Sequence, residues 1–352
     1  MPNVNITIDG KQISAPPNST ILSAARMAGI RIPTLCDHPA LKPIGACRVC
    51  LVEVEKQRVL QPACTFPVSE GMVVHTNSPQ TREARRFVLE LLLSDHPYDC
   101  MTCSAAGNCE LMDLAYEYGI KQTRYPGEQH NYAIQDDDPF IYRDYNKCIL
   151  CRRCVRACDE INGVEAIGLL NRGFSSKIGT AFDGSLQDSP CESCGMCIAV
   201  CPTGALAPKQ SLGKGRWWEM KKVTTVCPYC GVGCTLDLQV KDNKVVQVTS
   251  NWEGAANKGW TCVKGRFGWD YVESQERLTM PLIRKNGEFV EASWDEALDL
   301  VADKFAEIAK RDGPDALAFL ASAKCTNEEN YLVQKLARAV IGTNNVDHCA
   351  RL

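Results

Sequence analysis

The chain has 352 residues, of which 45% are hydrophobic and 23% charged, and its formal net charge is −3. That length calls for more than one domain, and the charge offers no basic field for nucleic acid or anionic lipid. No run reaches the ~18–20 apolar residues of a membrane helix, the richest stretch, 87–93, being broken by Glu90. Residues 1–8 alternate like a strand and lack the charged and apolar regions of a signal peptide.

The sequence contains 21 cysteines, and nineteen of them fall with His96 into five sets of four. Without a secretion signal, clustered C-x-x-C spacing points to thiolates that hold metal in a reducing cytoplasm, not to disulfides. Residues 1–78 form the first β-rich unit. Residues 4–8 and 12–14 flank Asp9-Gly10, a hairpin signal, and 21–28 read as a short helix closed by Gly29. Then comes Cys36-x10-Cys47-x2-Cys50-x13-Cys64. Four thiolates with one tight pair suit a [2Fe–2S] centre, two sulfurs to each iron. The zinc alternative usually shows two tight pairs. The long first gap resembles the variant in the large electron-transfer subunit of respiratory complex I and in iron-only hydrogenases, which implies a β-grasp ferredoxin fold.

Residues 79–138 open with an expected helix over 81–94, with Phe87, Val88, Leu91 and Leu92 on its buried side. It leads to His96-x3-Cys100-x2-Cys103-x5-Cys109. Three cysteines cannot complete a cubane, and His96 stands where a fourth ligand is wanted. The set resembles the one-histidine, three-cysteine [4Fe–4S] site of the same two families. A neutral imidazole in place of a thiolate removes one negative charge and shifts the reduction potential. His38, His75, His130 and His348 have no such company and read as structural or solvated.

Residues 139–210 hold an internal repeat: Cys148-x2-Cys151-x2-Cys154-x3-Cys158 is echoed by Cys191-x2-Cys194-x2-Cys197-x3-Cys201-Pro202. In the bacterial two-cluster ferredoxin pattern the fourth cysteine of each run ligates the other cluster. One cubane is therefore expected on Cys148, Cys151, Cys154 and Cys201, the other on Cys191, Cys194, Cys197 and Cys158. Asp159 stands where a proline is common, but proline shapes the turn and binds no metal. Residues 211–222 read as a linker.

The last set, in residues 220–275, is Cys227-x2-Cys230-x3-Cys234-x27-Cys262, with residues 235–248 expected as two strands around Asp242-Asn243. The run Cys227-Pro228-Tyr229-Cys230-Gly231-Val232-Gly233-Cys234 and the tail Cys262-Val263-Lys264-Gly265-Arg266 resemble the [4Fe–4S] domain of molybdenum or tungsten bis-pterin oxidoreductases, and within these formate dehydrogenases. The resemblance implies that Lys264 lies on the electron path between cubane and pterin. In residues 276–352, Ser293-Trp294-Asp295-Glu296 is a capping box before a helix with Ala297, Leu298, Val301, Phe305 and Ile308 on one face. A buried strand is expected over 316–320 and a second helix over 327–341, the start of an α/β pterin-binding layer. The loop 323–329 resembles a stretch near the pterin, which implies cofactor contacts at Asn327 and Glu328. Cys325 and Cys349 belong to no set and are expected as buried thiols.

The expected fold class is thus α+β and multidomain: a β-grasp [2Fe–2S] domain, a one-histidine cluster domain, a two-[4Fe–4S] ferredoxin domain, a [4Fe–4S] molybdopterin-oxidoreductase domain and the start of an α/β layer. The resemblance implies a cytoplasmic formate dehydrogenase catalytic subunit, with one [2Fe–2S] cluster, four [4Fe–4S] clusters and a bis-pterin guanine dinucleotide holding molybdenum or tungsten. Formate or carbon dioxide would be its substrate, and flavin- and NAD(P)-linked iron–sulfur subunits or ferredoxin its partners. The metal ligand is expected at the position after Leu352, where a selenocysteine codon read as a stop would end the chain. Alone, residues 275–352 are expected to expose apolar surface, and this length is expected not to turn over formate. The rival readings are a stand-alone electron-transfer protein, an iron-only hydrogenase, whose hydrogen cluster needs another cysteine pattern, and a large electron-transfer subunit of complex I.

Overall fold

The computed structural model describes residues 2–349, and the side chain of Cys349 lies outside the described residues. Strands β1 (Val4–Ile8) and β2 (Lys11–Ala15) pair antiparallel across Asp9-Gly10, both at positive φ (48° and 81°), as a two-residue hairpin loop of this hand requires. Helix α1 (Ile21–Met27) starts under Thr20, whose hydroxyl accepts from Ser23 N, and Gly29 follows it at φ 72°. Strands β3 (Leu51–Val54), β4 (Gln61–Pro62) and β5 (Val73–His75) complete a mixed sheet of order β2-β1-β5-β3-β4, in which β1 and β5 run parallel. Ile6, Ile8, Val52 and Val74 pack on Ile21, Leu22, Ala24 and Ala25 to form its core.

Helix α2 (Pro79–Ser94) buries only part of the expected face, with Val88 and Leu92 half-buried against the core. Phe87 and Leu91 are exposed, whereas Thr81, Arg85, Leu89, Glu90 and Leu93 are buried. Polar pairing sets this rotation. Arg85 donates to Leu51 O (2.6 Å), and Glu90 is gripped by Arg86 (3.2 Å) and Arg124 (2.7 Å), so the buried polar groups are satisfied. Helix α3 (Glu110–Glu117) packs beside it through Leu111 and Leu114.

In the next unit, β6 (Ile141–Arg143) precedes helix α4 (Arg153–Arg156), then the hairpin pair β7 (Gly168–Leu170) and β8 (Lys177–Gly179), helix α5 (Met196–Ala199) and β9 (Leu206–Pro208), which returns to β6. Residues 211–222 are not a loose linker. Arg216 donates to Cys103 O (2.9 Å), and Trp218 lies so close to Gly107 that a Cβ there would meet its ring at 2.7 Å. The segment runs into β10 (Lys221–Val226), which with β11 (Thr235–Lys241) and β12 (Lys244–Ser250) makes an antiparallel sheet turned at Asp242-Asn243. Helix α6 (Val263–Phe267) follows Cys262.

Strands β13 (Leu282–Lys285) and β14 (Glu288–Glu291) form a hairpin on Asn286-Gly287. Helix α7 (Trp294–Asp312) has half of the expected capping box: Ser293 Oγ accepts from Glu296 N (3.1 Å), but the Glu296 carboxylate turns to Lys285 (2.7 Å). Strand β15 (Phe319–Ser322) lies later than expected and is not buried, with Leu320 82% exposed. Helix α8 (Asn327–Lys335), extended by wider turns to Ile341, crosses over to β16 (Val346–Cys349), which pairs parallel with β15. The apolar stripe of α7 and α8 stands partly in solvent, including Leu298, Val301, Leu332 and Val340, as expected of this layer by itself. Among the described residues no helix is long and apolar enough to cross a membrane.

One loop ties the units together. Leu41 packs with Ala157, Met196 and Val200, flanked by Trp252 and Trp260. His38 stands edge-on to Trp252 at 4.4 Å, Lys42 N donates to Glu160 (2.8 Å), and Arg156 donates to the carbonyls of Cys36 and Lys42. Leu35 and Cys36 also share a core with Leu89, Leu93 and Leu111. Loop 35–42 of the first unit therefore touches the other three cysteine-bearing units.

Candidate metal centres

The first set gathers in the loop between α1 and β3 and on β4's far side. Cys36, Cys47, Cys50 and Cys64 are all buried. Cys36 N donates to Cys47 Sγ (3.3 Å). Hydrogen bonds from the Cys47 and Cys64 thiols hold the Cys36 thiol down to about 2, and the same bonds push Cys47 and Cys64 up. Cys64 bonds Cys50 as well, lowering it, so the four sulfurs form one continuous group.

The second set spans the end of α2 and the start of α3. Cys100 is exposed and Cys103 and Cys109 are buried, burial pushing Cys109 up to about 11. Burial lowers the pKa of His96, favouring the neutral form whose lone pair can ligate. Its Nδ1 is buried with no hydrogen-bond partner. Such an orphan nitrogen, four positions before Cys100 in the chain, fits a metal ligand. Lys147, paired with Asp99 (2.9 Å) and Asp144 (3.0 Å), joins this set to the ferredoxin-like unit. Gly204 permits the approach, since a Cβ there would sit 2.5 Å from Cys103 Sγ.

The repeat is crossed. The thiols that press on Cys154 are Cys151, Cys148 and Cys201, then more weakly Cys197. Those on Cys197 are Cys194, Cys191 and Cys158, then Cys201. Cys148, Cys151, Cys154 and Cys201 line one cavity, and burial pushes Cys148 and Cys151 up to about 12. The two runs share their backbone shape: Leu150 and Ser193 take φ 51° and 50°, Arg152 and Gly195 take 58° and 70°. They part at the end, where Pro202 stops the second run and Asp159 continues a helical turn to Ile161.

In the last set Cys227 N donates to Cys234 O (2.8 Å), and Cys234 feels Cys227, Cys230 and Cys262 in that order, after burial. Lys264, in the first turn of α6, exerts its charge on Cys227, and Gly265 would bring a Cβ to 3.5 Å from that sulfur. Gly231 lies 3.4 Å, measured from its Cβ position, from Ala323 O, so the cysteine loop abuts the loop before α8. Asn327 and Glu328 stand exposed on the first turn of α8. The helix start there carries a capping box the sequence reading missed: Thr326 N donates to Glu329 (2.7 Å) and Glu329 N to Thr326 Oγ1 (3.2 Å). Cys325 is exposed, not buried, because its loop stands off the exposed strand β15. Cys349's side chain and the position after Leu352 lie outside the described residues.

Every cysteine whose side chain is described is a free thiol. Among the described residues no group of three or more His, Cys, Asp or Glu is drawn tightly enough to hold a single metal ion. The sequence reading also missed the buried basic residues between the sets. Arg153 pairs with Glu110 (2.5 Å), Arg156 reaches Cys36 O, and Arg266 reaches Cys194 O (3.0 Å). Their signal was present in Arg153 and Arg156 inside the first ferredoxin run.

Known families match the chain in series. Residues 2–79 match a 2Fe-2S iron-sulfur cluster binding domain, 85–124 the NADH-ubiquinone oxidoreductase-G iron-sulfur binding region, and 138–207 the ferredoxin-like domain of NADH-quinone oxidoreductase subunit 3. Residues 220–274 match the molybdopterin oxidoreductase Fe4S4 domain and 277–352 molybdopterin oxidoreductase. A crystal structure of an NAD+-reducing [NiFe]-hydrogenase aligns at TM-score 0.57 and 32% identity, over 61% of this chain and 91% of that one. The chain belongs to the iron–sulfur electron-transfer oxidoreductases. The chain is 39% identical over 99% of its length to an NADH-quinone oxidoreductase subunit of Rhizobium meliloti, and 40% identical over 99% to the NADPH-Fe(3+) oxidoreductase alpha subunit of Geobacter sulfurreducens. A Staphylococcus aureus protein provisionally named a formate dehydrogenase is 36% identical over 98% of this chain and 39% of its own. The chain spans about 40% of the length of the first two relatives.

Proposed function

We propose that the five sets hold one [2Fe–2S] and four [4Fe–4S] clusters and relay electrons to or from a pterin-held molybdenum or tungsten at which formate is oxidised to carbon dioxide, or the reverse. Cys36, Cys47, Cys50 and Cys64 hold the first cluster, and His96, Cys100, Cys103 and Cys109 the second. The crossed quartets of the repeat hold two more, and Cys227, Cys230, Cys234 and Cys262 the last. When bound, each cluster takes up and releases one electron at a time, and the pterin-held metal takes the pair. The chain's own residues place these groups: Lys264 sets a cation beside Cys227, Gly204 admits the His96 site to the ferredoxin-like unit, and His96 supplies a neutral ligand. Oxidation of formate releases carbon dioxide, a proton and two electrons, and the electrons leave toward a flavin- and NAD(P)-linked cytoplasmic partner.

The crossed gathering of thiols carries the relay part of this reading. The abutment of the last set on the loop before α8 supports the pterin part. The provisional name of the Staphylococcus aureus relative supports formate. A second reading, a relay from NADH or NADPH to quinone or ferric iron, is favoured by the names of the Rhizobium and Geobacter relatives. Protein isolated anaerobically from its native source decides. Bleaching of the cluster absorbance by formate, with molybdenum or tungsten present, supports the first. Bleaching by NADH or NADPH alone, with neither metal, establishes the second.

Gly204 gives a local test. The variant Gly204→Ala pushes a methyl against Cys103 Sγ, so about four of the roughly eighteen irons expected from these clusters should be lost. An iron assay with paramagnetic resonance checks it, and a fully loaded variant with every signal intact would refute the close approach.

A further inference from the structure

Arg266 is a buried cation, 3% exposed, with no charged hydrogen-bond partner. Its Nε donates to Cys194 O (3.0 Å), and Nη2 donates to Ser250 Oγ (2.8 Å) and rests on Met196 Sδ (3.5 Å). The acidic groups whose charges reach it are thiols: Cys194 and Cys197 of the second ferredoxin-like run, and Cys262 of the last set. Three other buried bases have carboxylates, Arg153 with Glu110, Arg143 with Asp137 and Lys147 with two aspartates, whereas Arg85 and Arg156, like Arg266, donate to backbone carbonyls; of these only Arg266 lies between the thiols of two sets. The fold keeps a slot for this side chain. A Cβ on Gly195 would collide with Arg266 Cδ, and the matching position of the first run, with no such guest, is Arg152.

A lone guanidinium in a low-dielectric site is expensive unless an opposite charge arrives. Arginine keeps its proton throughout the working pH range, so its charge is fixed. We propose that Arg266 is the counter-charge for the electron as it crosses between the cluster on Cys191, Cys194, Cys197 and Cys158 and the cluster on Cys227, Cys230, Cys234 and Cys262. This rests on the cluster reading given above. Each reduction adds one electron to a cluster and calls for no proton, because a permanent cation already faces the new charge. The guanidinium raises the reduction potential of both clusters together and so keeps the step between them level. Arg266 is a positioning and tuning residue and touches no reacting atom.

The test is a redox titration of the anaerobic chain with dithionite, followed by paramagnetic resonance, in Arg266→Met and Arg266→Lys. With a full iron load, Arg266→Met should make both clusters harder to reduce by about tenfold in the one-electron equilibrium, ~59 mV. Arg266→Lys, which keeps the charge, should stay near the parent. Unchanged potentials in a loaded Arg266→Met, or an equal shift in both variants, would overturn the proposal. If Arg266→Met takes up no iron, Ser250→Asp decides, because it sets a carboxylate beside the guanidinium and cancels its field in place. The same downward shift supports the counter-charge, and unchanged potentials remove it. Iron in the parent chain tests the cluster reading separately. A parent without iron sinks that reading, whereas a loaded parent with an insensitive Arg266→Met sinks only this one.

Discussion

Stripping the iron from this chain should abolish its cooperative thermal transition. The reason lies in what the cores are made of. Each hydrophobic cluster includes or is packed by candidate ligands: Cys50 and Cys64 in the sheet core, Cys36, Cys47, Cys109 and Cys151 beside α2 and α3, Cys194 beside Leu41. Cys154, Cys191 and Cys227 serve the remaining three. Without metal these sites become cavities lined by thiols. Structural zinc sites show the scale, with metal binding worth about 10–16 kcal/mol of folding energy, against a net stability of ~5–15 kcal/mol for a typical domain. Calorimetry and near-ultraviolet dichroism on the holo and apo chains check the expectation. An apo chain that melts as sharply as the holo form, at the same temperature, would show that the apolar contacts suffice.

Replacing Cys201 by serine should empty the site that Cys148, Cys151 and Cys154 form, not the site of its own run. The crossing makes this readable without assigning any signal. Cys201→Ser, Cys148→Ser and their double variant should each lose about four irons, because they strike one cubane. Cys201→Ser combined with Cys191→Ser should lose about eight. Residues acting on one site fail to add, and residues on separate sites add. If the Cys201 and Cys148 double variant lost twice the iron of either single, the runs would be uncrossed.

The sequence was most legible where the signal is local. Asp9-Gly10 and Asp242-Asn243 mark turns by their own backbone preference, and both turns are there. The cysteine spacings likewise encode one loop at a time. What stayed hidden depends on residues far apart in the chain. The apolar stripe of α2 suggested an inward face that is right at Val88 and Leu92 and wrong at Phe87 and Leu91, because Arg85 and Glu90 find partners at Leu51 and Arg124, which no periodicity within the helix reveals. Arg156 reaches Cys36 O across 120 positions. The strand near Leu320 read as buried because it is apolar, yet its exposure is decided by what else packs there. Cys325 followed the same error, since a thiol is hydrophobic by type and its loop is not.

The loop from Leu35 to Lys42 changes how the chain should be pictured. A string of beads passes its cargo through every bead in turn. Here the first bead is folded back against the third and fourth, by Arg156 on one side and by His38 on Trp252 on the other. Pulling that loop away would undo contacts in all three other units at once, where a string would lose a single joint.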